Sequence, residues 1–277
     1  MSIWYTEKHT PHSGITMEVK KSIYYGESEF QTLEILDTFE FGRMLLLDGV
    51  VMLTERDEFV YHEMLAHVPL NTHPSPEKVL VIGGGDGGTV REVLKHPQVK
   101  EVTLVEIDRM VVEAALGHLP DISEGLRDPR TRIVYGDGVR FVADSQPGSY
   151  DVILVDSTDP VGPAEALFSK DFFRNCANAL GPDGVFVCQS ESPFYHLPFM
   201  VDLHKRMDGI YPKVGFYLAA VPTYPSGNWS FLMGSRAGET SLPQCRDFAQ
   251  LQTKYYDRHI HLASFAVPRF LAEALTK

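Results

Sequence analysis

The sequence is poor in cysteine, poor in positive charge and without a long apolar run. Its three cysteines, Cys176, Cys188 and Cys245, make an odd number and show no CxxC spacing. A disulfide frame is therefore not expected, and a reducing, cytoplasmic setting is. No apolar stretch approaches the ~20 residues a membrane-spanning helix needs. The first residues, MSIWYTEKHTPHSGITM, lack the basic-then-apolar layout of a secretory leader, so none is expected. Lys and Arg number 25 against 37 Asp and Glu, a formal charge of −12. No basic cluster interleaved with aromatics occurs, which argues against a nucleic-acid groove. The acid surplus is first a solubility charge, but it is also a field that gathers cationic ligands.

What is there is an ordinary globular composition over 277 residues, enough for one large α/β domain or a large domain with a small one. The opening third reads as β-structure. FQTLEILD (30–37), RMLLLDG (43–49) and VVMLTE (50–55) are short strand-like runs, and Asp48-Gly49 between the last two is a hairpin signal. These runs predict a small antiparallel N-terminal β domain over 1–56. DEFVYHEMLAHVPL (57–70) then reads as an amphipathic linker helix with Phe59, Met64 and Leu65 near one face, followed by a polar connection, NTHPSPE.

From Lys78 strands alternate with helices: KVLVIGGG, TVREVLKH, EVTLVEID, MVVEAALGHL, RIVYGDG, YDVILVD and GVFVCQS. FSKDFFRNCANAL (168–180) is a helix with Ser169 as its N-cap and Gly181 just past its end. FYLAAVPTYPSGNWSFLMGS reads as a late antiparallel pair, and a final helix follows. The alternation predicts a doubly wound sheet over 57–277, with ligands beyond the strand C-termini.

The motifs fall at those C-termini. Gly83, Gly85 and Gly88 stand in G-x-G-x-x-G register between a strand and a helix, where glycine lets the backbone approach a ligand. A dinucleotide is one reading. Asp86 inside the turn argues for another, because a carboxylate there repels pyrophosphate but welcomes an ammonium or sulfonium. A tight turn with a capping aspartate is the plain alternative. Glu106, about 20 residues on, is placed to accept hydrogen bonds from ribose hydroxyls. Asp137-Gly138 ends the next strand, as an adenine contact or simply a turn. Asp156 closes YDVILVD and Asp159 follows in a loop stiffened by Pro160 and Pro163. Two carboxylates with no cation nearby in sequence call for one from outside. A metal is one candidate, but ligands at metal spacing are lacking; His62 and His67 are five apart, not the four that share a helix face. A polyamine or other amine fits better.

Taken together, IGGGDGG, TERDEFVYHEM, VEID, GDG, VDSTDPVGP and PTYPSG resemble the spermidine synthases, the polyamine aminopropyltransferases, most closely the short bacterial ones, over essentially the whole chain. The resemblance implies a class I methyltransferase-like (Rossmann-like) sheet with an N-terminal β domain, assembled as a homodimer or homotetramer. It implies transfer of an aminopropyl group from decarboxylated S-adenosylmethionine, a co-substrate rather than a cofactor, to putrescine. Spermidine and methylthioadenosine are the products. Gln31, Gly83, Gly85, Asp86, Glu106, Asp137, Gly138 and Pro163 fall at nucleoside-substrate positions. Tyr61, His62, Asp86, Asp156, Ser157, Asp159, Glu191 and Tyr224 fall around the diamine, with Asp156 as proton acceptor. No metal, nucleic acid or membrane partner is implied. Rival readings are an S-adenosylmethionine-dependent amine N-methyltransferase, an aminopropyltransferase for agmatine or cadaverine, an NAD-dependent oxidoreductase, and a catalytically silent polyamine sensor.

Overall fold

The computed structural model describes residues 2–238, 240–243 and 251–276; Cys245 lies outside them. The chain opens with five strands: β1 (Ile3–Thr10), β2 (Ser13–Glu27), β3 (Thr32–Thr38), β4 (Arg43–Leu47) and β5 (Val50–Thr54). They form one antiparallel sheet in sequential order. Sequence patterning finds only β3, β4 and β5. β1 and β2 are polar and largely exposed, so the alternation that marks a half-buried strand is faint in them. The Asp48-Gly49 hairpin is present, and both residues have positive φ (49° and 72°), as a type I′ turn requires.

The remaining elements are α1 (Glu58–Thr72), β6 (Lys78–Gly83), α2 (Gly88–Leu94), β7 (Glu101–Glu106), α3 (Arg109–His118), α4 (Pro120–Ser123), β8 (Thr131–Tyr135), α5 (Gly138–Ala143), β9 (Tyr150–Asp156), α6 (Lys170–Ala179), β10 (Leu180–Gln189), α7 (Leu197–Met207), β11 (Lys213–Ala219), β12 (Trp229–Ser235), α8 (Arg258–Ser264) and α9 (Arg269–Leu275). The second sheet has seven strands in the order β11-β12-β10-β9-β6-β7-β8. β10, β9, β6, β7 and β8 run parallel, while β12 and β11 are the antiparallel pair read from the tail. Chain order reverses between β6 and β9, and the crevice at such a switch point is where open α/β sheets bind ligands. Ser169 caps α6 by accepting from the Phe172 N–H, as expected. Gly181 does lie past that helix, but the chain turns directly into β10 at Leu180, in extended backbone.

α1 departs from the amphipathic reading. Every residue from Val60 to Thr72 is buried. The helix packs on α2 and on the sheet at β10 and β9. Glu63 accepts from the backbone N–H groups of Lys254, Tyr255 and Tyr256 at 2.7–2.8 Å, so the C-terminal segment covers another flank. Its polar residues are buried because each has a partner: Asn71 donates to the Tyr256 hydroxyl (2.9 Å) and His67 lies 3.0 Å from Glu92. The helix also runs to Thr72, which shortens the polar connection. At its start, the Asp57 carboxylate accepts from Thr54 Oγ1 (2.6 Å) and from Thr223 N and Oγ1 (3.0 and 2.8 Å). One aspartate thereby joins the end of β5, the head of α1 and the loop that carries Tyr224.

On the other face, Phe186 is fully buried among Phe172, Phe173 and Tyr211, with ring centroids 5.5–6.4 Å apart. Phe186→Ala should therefore lower the unfolding free energy by about 3–5 kcal/mol. Urea denaturation followed by circular dichroism measures it.

Candidate active site

The β6–α2 turn is built for close approach. Gly83 and Gly84 have positive φ, and a Cβ on either would strike Asp156: its backbone oxygen at 2.3 Å from Gly83, its Oδ2 at 2.6 Å from Gly84. Glycine here brings the end of β9 against the turn. Around this point lies a cavity of ≈ 430 Å³. Gln31, Tyr61, His62, Gly83, Gly85, Asp86, Glu106, Asp137, Gly138, Asp156, Ser157, Asp159 and Tyr224 all line it. Of the residues singled out from sequence, Glu191 does not reach the wall, and the side chain of Pro163, in the short 3-10 helix Gly162–Phe168, lies outside the described residues.

One end of the cavity is set by Glu106. Its carboxylate accepts from Asp108 N (2.9 Å) and Gly85 N (3.1 Å), which fixes its orientation. Burial pushes its pKa up to about 7. Gln31 donates to Asp108 Oδ2 (3.0 Å), so the N-terminal sheet is pinned to the head of α3 beside Glu106. Asp137 caps α5 through Oδ1, which accepts from Val139 N. The turn reading of that Asp-Gly is realised, and the pair lines the cavity as well.

The other end is acidic. Asp156 Oδ2 accepts from Thr89 Oγ1 (2.6 Å); burial first, and then the Asp156 charge, push the neighbouring Tyr61 hydroxyl above its ordinary range. Burial first, and then the nearby Asp86 charge, push the Asp156 carboxyl above its ordinary range. Asp86 Oδ1 accepts from Gly88 N (2.8 Å) and lies 3.3 Å from His62 Nε2. His62 Nδ1 lies 2.5 Å from Glu58, which Arg91 grips at 2.8 and 3.1 Å. Burial opposes a charge on His62, but Asp86 and Glu58 outweigh it and push its pKa up to about 10. Burial likewise opposes ionisation of Asp86, and His62 outweighs it there, holding the carboxyl below its usual range.

His62, Asp86 and Asp156 bring three donor atoms within 4.8 Å of one another, a spacing that suits a metal ion. The donor chemistry does not. An imidazolium bonded through both nitrogens has no lone pair for a metal, and two oxygens are too few for a hard cation. The Ser157 hydroxyl is buried without a hydrogen-bond partner, which marks a place for a polar ligand atom. Tyr224 donates to Met52 O (2.5 Å), and its ring lies 5.7 Å from that of Tyr61.

Glu191 sits behind Asp159. It is buried in left-handed backbone (φ 71°), and its carbonyl accepts from Ser230 N and Oγ. Burial and the Asp159 charge push its carboxyl up to about 9, and His196 Nδ1 lies 3.1 Å from its Oε2. Sequence reasoning missed the wall supplied by the N-terminal sheet: Leu45, Leu47, Val50 and Met52 line the cavity. Nothing in a run of alternating apolar residues tells which neighbour it faces.

A seven-stranded Rossmann-like sheet with a glycine turn at its switch point, facing paired half-buried carboxylates, defines a transferase of the class I methyltransferase-like kind. Sequence comparison narrows the class. The Spermine/spermidine synthase domain matches residues 58–243, and the Spermidine synthase tetramerisation domain matches residues 3–55. The polyamine aminopropyltransferase of Bacillus subtilis (strain 168) is 49% identical over 273 residues, 99% of each chain. That of Bacillus mycoides (strain KBAB4) is 48% identical over 275 residues, 99% of this chain and 100% of the relative. A crystal structure of spermidine synthase in complex with the transition state analogue AdoDATO superposes with a TM-score of 0.92 at 40% identity, covering 99% of this chain and 95% of the other. The chain belongs to the spermine/spermidine synthase family, the polyamine aminopropyltransferases.

Gly84→Ala puts a Cβ into Asp156 and forces a non-glycine residue to φ 69°. The substitution should cost about 1–3 kcal/mol, seen as a lowered thermal midpoint.

Proposed function

We propose that the protein transfers the aminopropyl group of decarboxylated S-adenosylmethionine to putrescine, giving spermidine and methylthioadenosine. The observation that carries this reading is the pair of half-buried carboxylates, Asp86 and Asp156, in one cavity with Glu106. The donor is a sulfonium and the acceptor a diammonium, so both substrates bring the positive charge the cavity lacks. Glu106, Gln31, Asp137 and Gly138 hold the nucleoside; Asp86 holds the aminopropyl ammonium; Tyr61, Tyr224, Ser157 and Asp159 surround the acceptor.

An alkylamine with a pKa near ~10 has no free lone pair at neutral pH. Asp156 takes one proton from it. The freed nitrogen attacks the carbon beside sulfur, the C–S bond breaks, and sulfur leaves with the electron pair as a neutral thioether. No general acid is needed for that leaving group, and no resident cofactor is proposed. A carboxylate is a weak base, so its raised pKa helps, and holding nitrogen in line with carbon contributes more, up to roughly 7–11 kcal/mol in well-oriented systems. Asp86 also favours this donor over ordinary S-adenosylmethionine, whose carboxylate would meet it with like charge. That disfavours an amine N-methyltransferase. Glu191, whose carboxyl is pushed up by burial and by the Asp159 charge, supports Asp159 at the far end of the acceptor. The match of residues 3–55 to a tetramerisation domain supports a homotetramer, and a cytoplasmic setting is proposed with it. No helix among the described residues is long and apolar enough to cross a membrane.

Incubation with decarboxylated S-adenosylmethionine and a panel of diamines, with products identified by mass spectrometry, tests the reaction and the acceptor. Spermidine and methylthioadenosine are expected from putrescine; methylated amine would overturn the assignment. Asp156→Asn should lower turnover on the order of 10²–10⁴-fold with donor binding retained. Near wild-type turnover in that variant would remove Asp156 from the role of base.

Glu106 adds a pH test. Ribose hydroxyls donate to its ionised form, so methylthioadenosine should bind more tightly as pH rises through about 7 and more weakly below it. By calorimetry, Glu106→Gln should bind about 1.5–3 kcal/mol more weakly at alkaline pH and lose that pH dependence.

A further inference from the structure

Behind the cavity a chain of charges runs from α2 to the reacting end. Arg91 bonds both oxygens of Glu58 (2.8 and 3.1 Å) and, through Nε, Glu92 (2.8 Å). Its Nη1 also donates to the Asp121 carbonyl at 3.2 Å. Glu92 has a second cation in Lys95 (2.6 Å). Glu58 lies 2.5 Å from His62 Nδ1, and His62 Nε2 lies 3.3 Å from Asp86. The ring is wedged in place: a Cβ on Gly88 would come within 2.2 Å of it. Glu58 and His62 are one helical turn apart on α1, the i, i+4 spacing that lets a side-chain pair meet. The Arg91–Glu58 contact was not legible from spacing, because the two meet only when α1 packs on α2.

We propose that Glu58 and Arg91 are positioning residues for the transfer: Arg91 holds Glu58 against Nδ1 of the His62 ring, and the pinned ring holds Asp86 in place beside Asp156. This rests on the aminopropyl-transfer reading above. His62 then acts on the substrates through Asp86, because both its nitrogens are already committed. The groups facing it are Glu58 from α1, Asp86 from the β6–α2 turn and Asp156 from β9; Tyr61 lies beside it, and Arg91 reaches it through Glu58.

The consequence is electrostatic. Arg91 and His62 match Glu58 and Asp86, and Asp156 is the carboxylate left over, the one that meets the incoming ammonium. Burial opposes ionisation of Glu58, but His62 and Arg91 outweigh it and keep it ionised, which in turn keeps His62 charged. Without that charge, Asp86 and Asp156 would face each other as bare carboxylates and hold one proton between them. A shared proton removes the charge that binds one ammonium and the base that deprotonates the other. The sign follows: losing Glu58 raises the pH at which both carboxylates are ionised, so activity is lost on the acid side and returns as pH rises.

The test is kcat/KM for decarboxylated S-adenosylmethionine with saturating putrescine, from about pH 5.5 to about pH 9, for wild type, Glu58→Gln, Glu58→Asp and Arg91→Met. Glu58→Gln and Arg91→Met should move the acid limb up by about one unit, an about tenfold loss at a fixed acid pH that disappears at alkaline pH. Glu58→Asp keeps the charge and should restore the limb. A loss of equal size at every pH, or an unchanged profile, overturns the proposal. The second measurement needs no substrate: NMR titration of the His62 ring. In the wild type the ring should stay protonated through neutral pH, with its midpoint falling in Glu58→Gln. An ordinary midpoint near 6.5 in the wild type overturns the proposal even if the variants fail to fold. Wild-type protein that makes no spermidine but shows the shifted ring would sink the functional reading and leave the charge relay standing.

Discussion

A carboxylate taken out of water must find positive charge or take up a proton, and the architecture of this site follows from that constraint. Glu58 is buried and Asp86 half-buried, and both have internal cations; Asp156 has the Thr89 hydroxyl as donor, with Tyr61 beside it. The unmatched charge is left in the cavity, where a cationic substrate completes it. In the proposed reaction binding and chemistry are then one event, because the group that attracts the acceptor ammonium is also the group that removes its proton.

The fold supplies the means to hold such a costly arrangement. β6 and β9 stay paired as far as Gly83 and Asp156, but the connections that leave them go to opposite faces of the sheet and open a crevice beyond the strand ends. Positive-φ glycines at 83 and 84 let the turn touch the end of β9, so Asp86 and Asp156 share one small volume. α1 works as a buried spine rather than a surface helix. It carries Glu58, Tyr61 and His62, and Asp57 at its head ties in the loop of Tyr224. The N-terminal sheet closes the space with Leu45, Leu47, Val50 and Met52, and reaches the nucleoside end through Gln31 and Asp108. The residues that form this wall lie within the segment, 3–55, that matches a spermidine synthase tetramerisation domain.

The same charge logic separates the rival chemistries. A dinucleotide would set pyrophosphate against Asp86 in the glycine turn. A methyl donor would set its own carboxylate there. In the proposed reaction only a donor stripped of that carboxylate avoids setting like charge against Asp86, which is why one residue inside an otherwise generic nucleotide-binding turn decides between readings.

Much of this was legible in the residue string. Strand–helix alternation, the glycine register, Glu106 at its spacing and the aspartates at the end of β9 depend on local chemistry, and local chemistry is what a linear pattern records. The Asp48-Gly49 hairpin and the Ser169 cap are of the same kind, each settled by a few neighbouring residues. The burial of α1 on all sides, the two polar strands at the start of the chain, the place of Glu191 behind Asp159 and the grip of Arg91 on Glu58 belong to another class. They depend on which surfaces meet when α1 packs on α2 and the N-terminal sheet packs over the switch point. The sequence by itself determined the kinds of groups and their order. Only tertiary packing decided which charges share a low-dielectric space, and in that space proximity, not identity, sets whether a carboxylate is a structural partner, a ligand or a base.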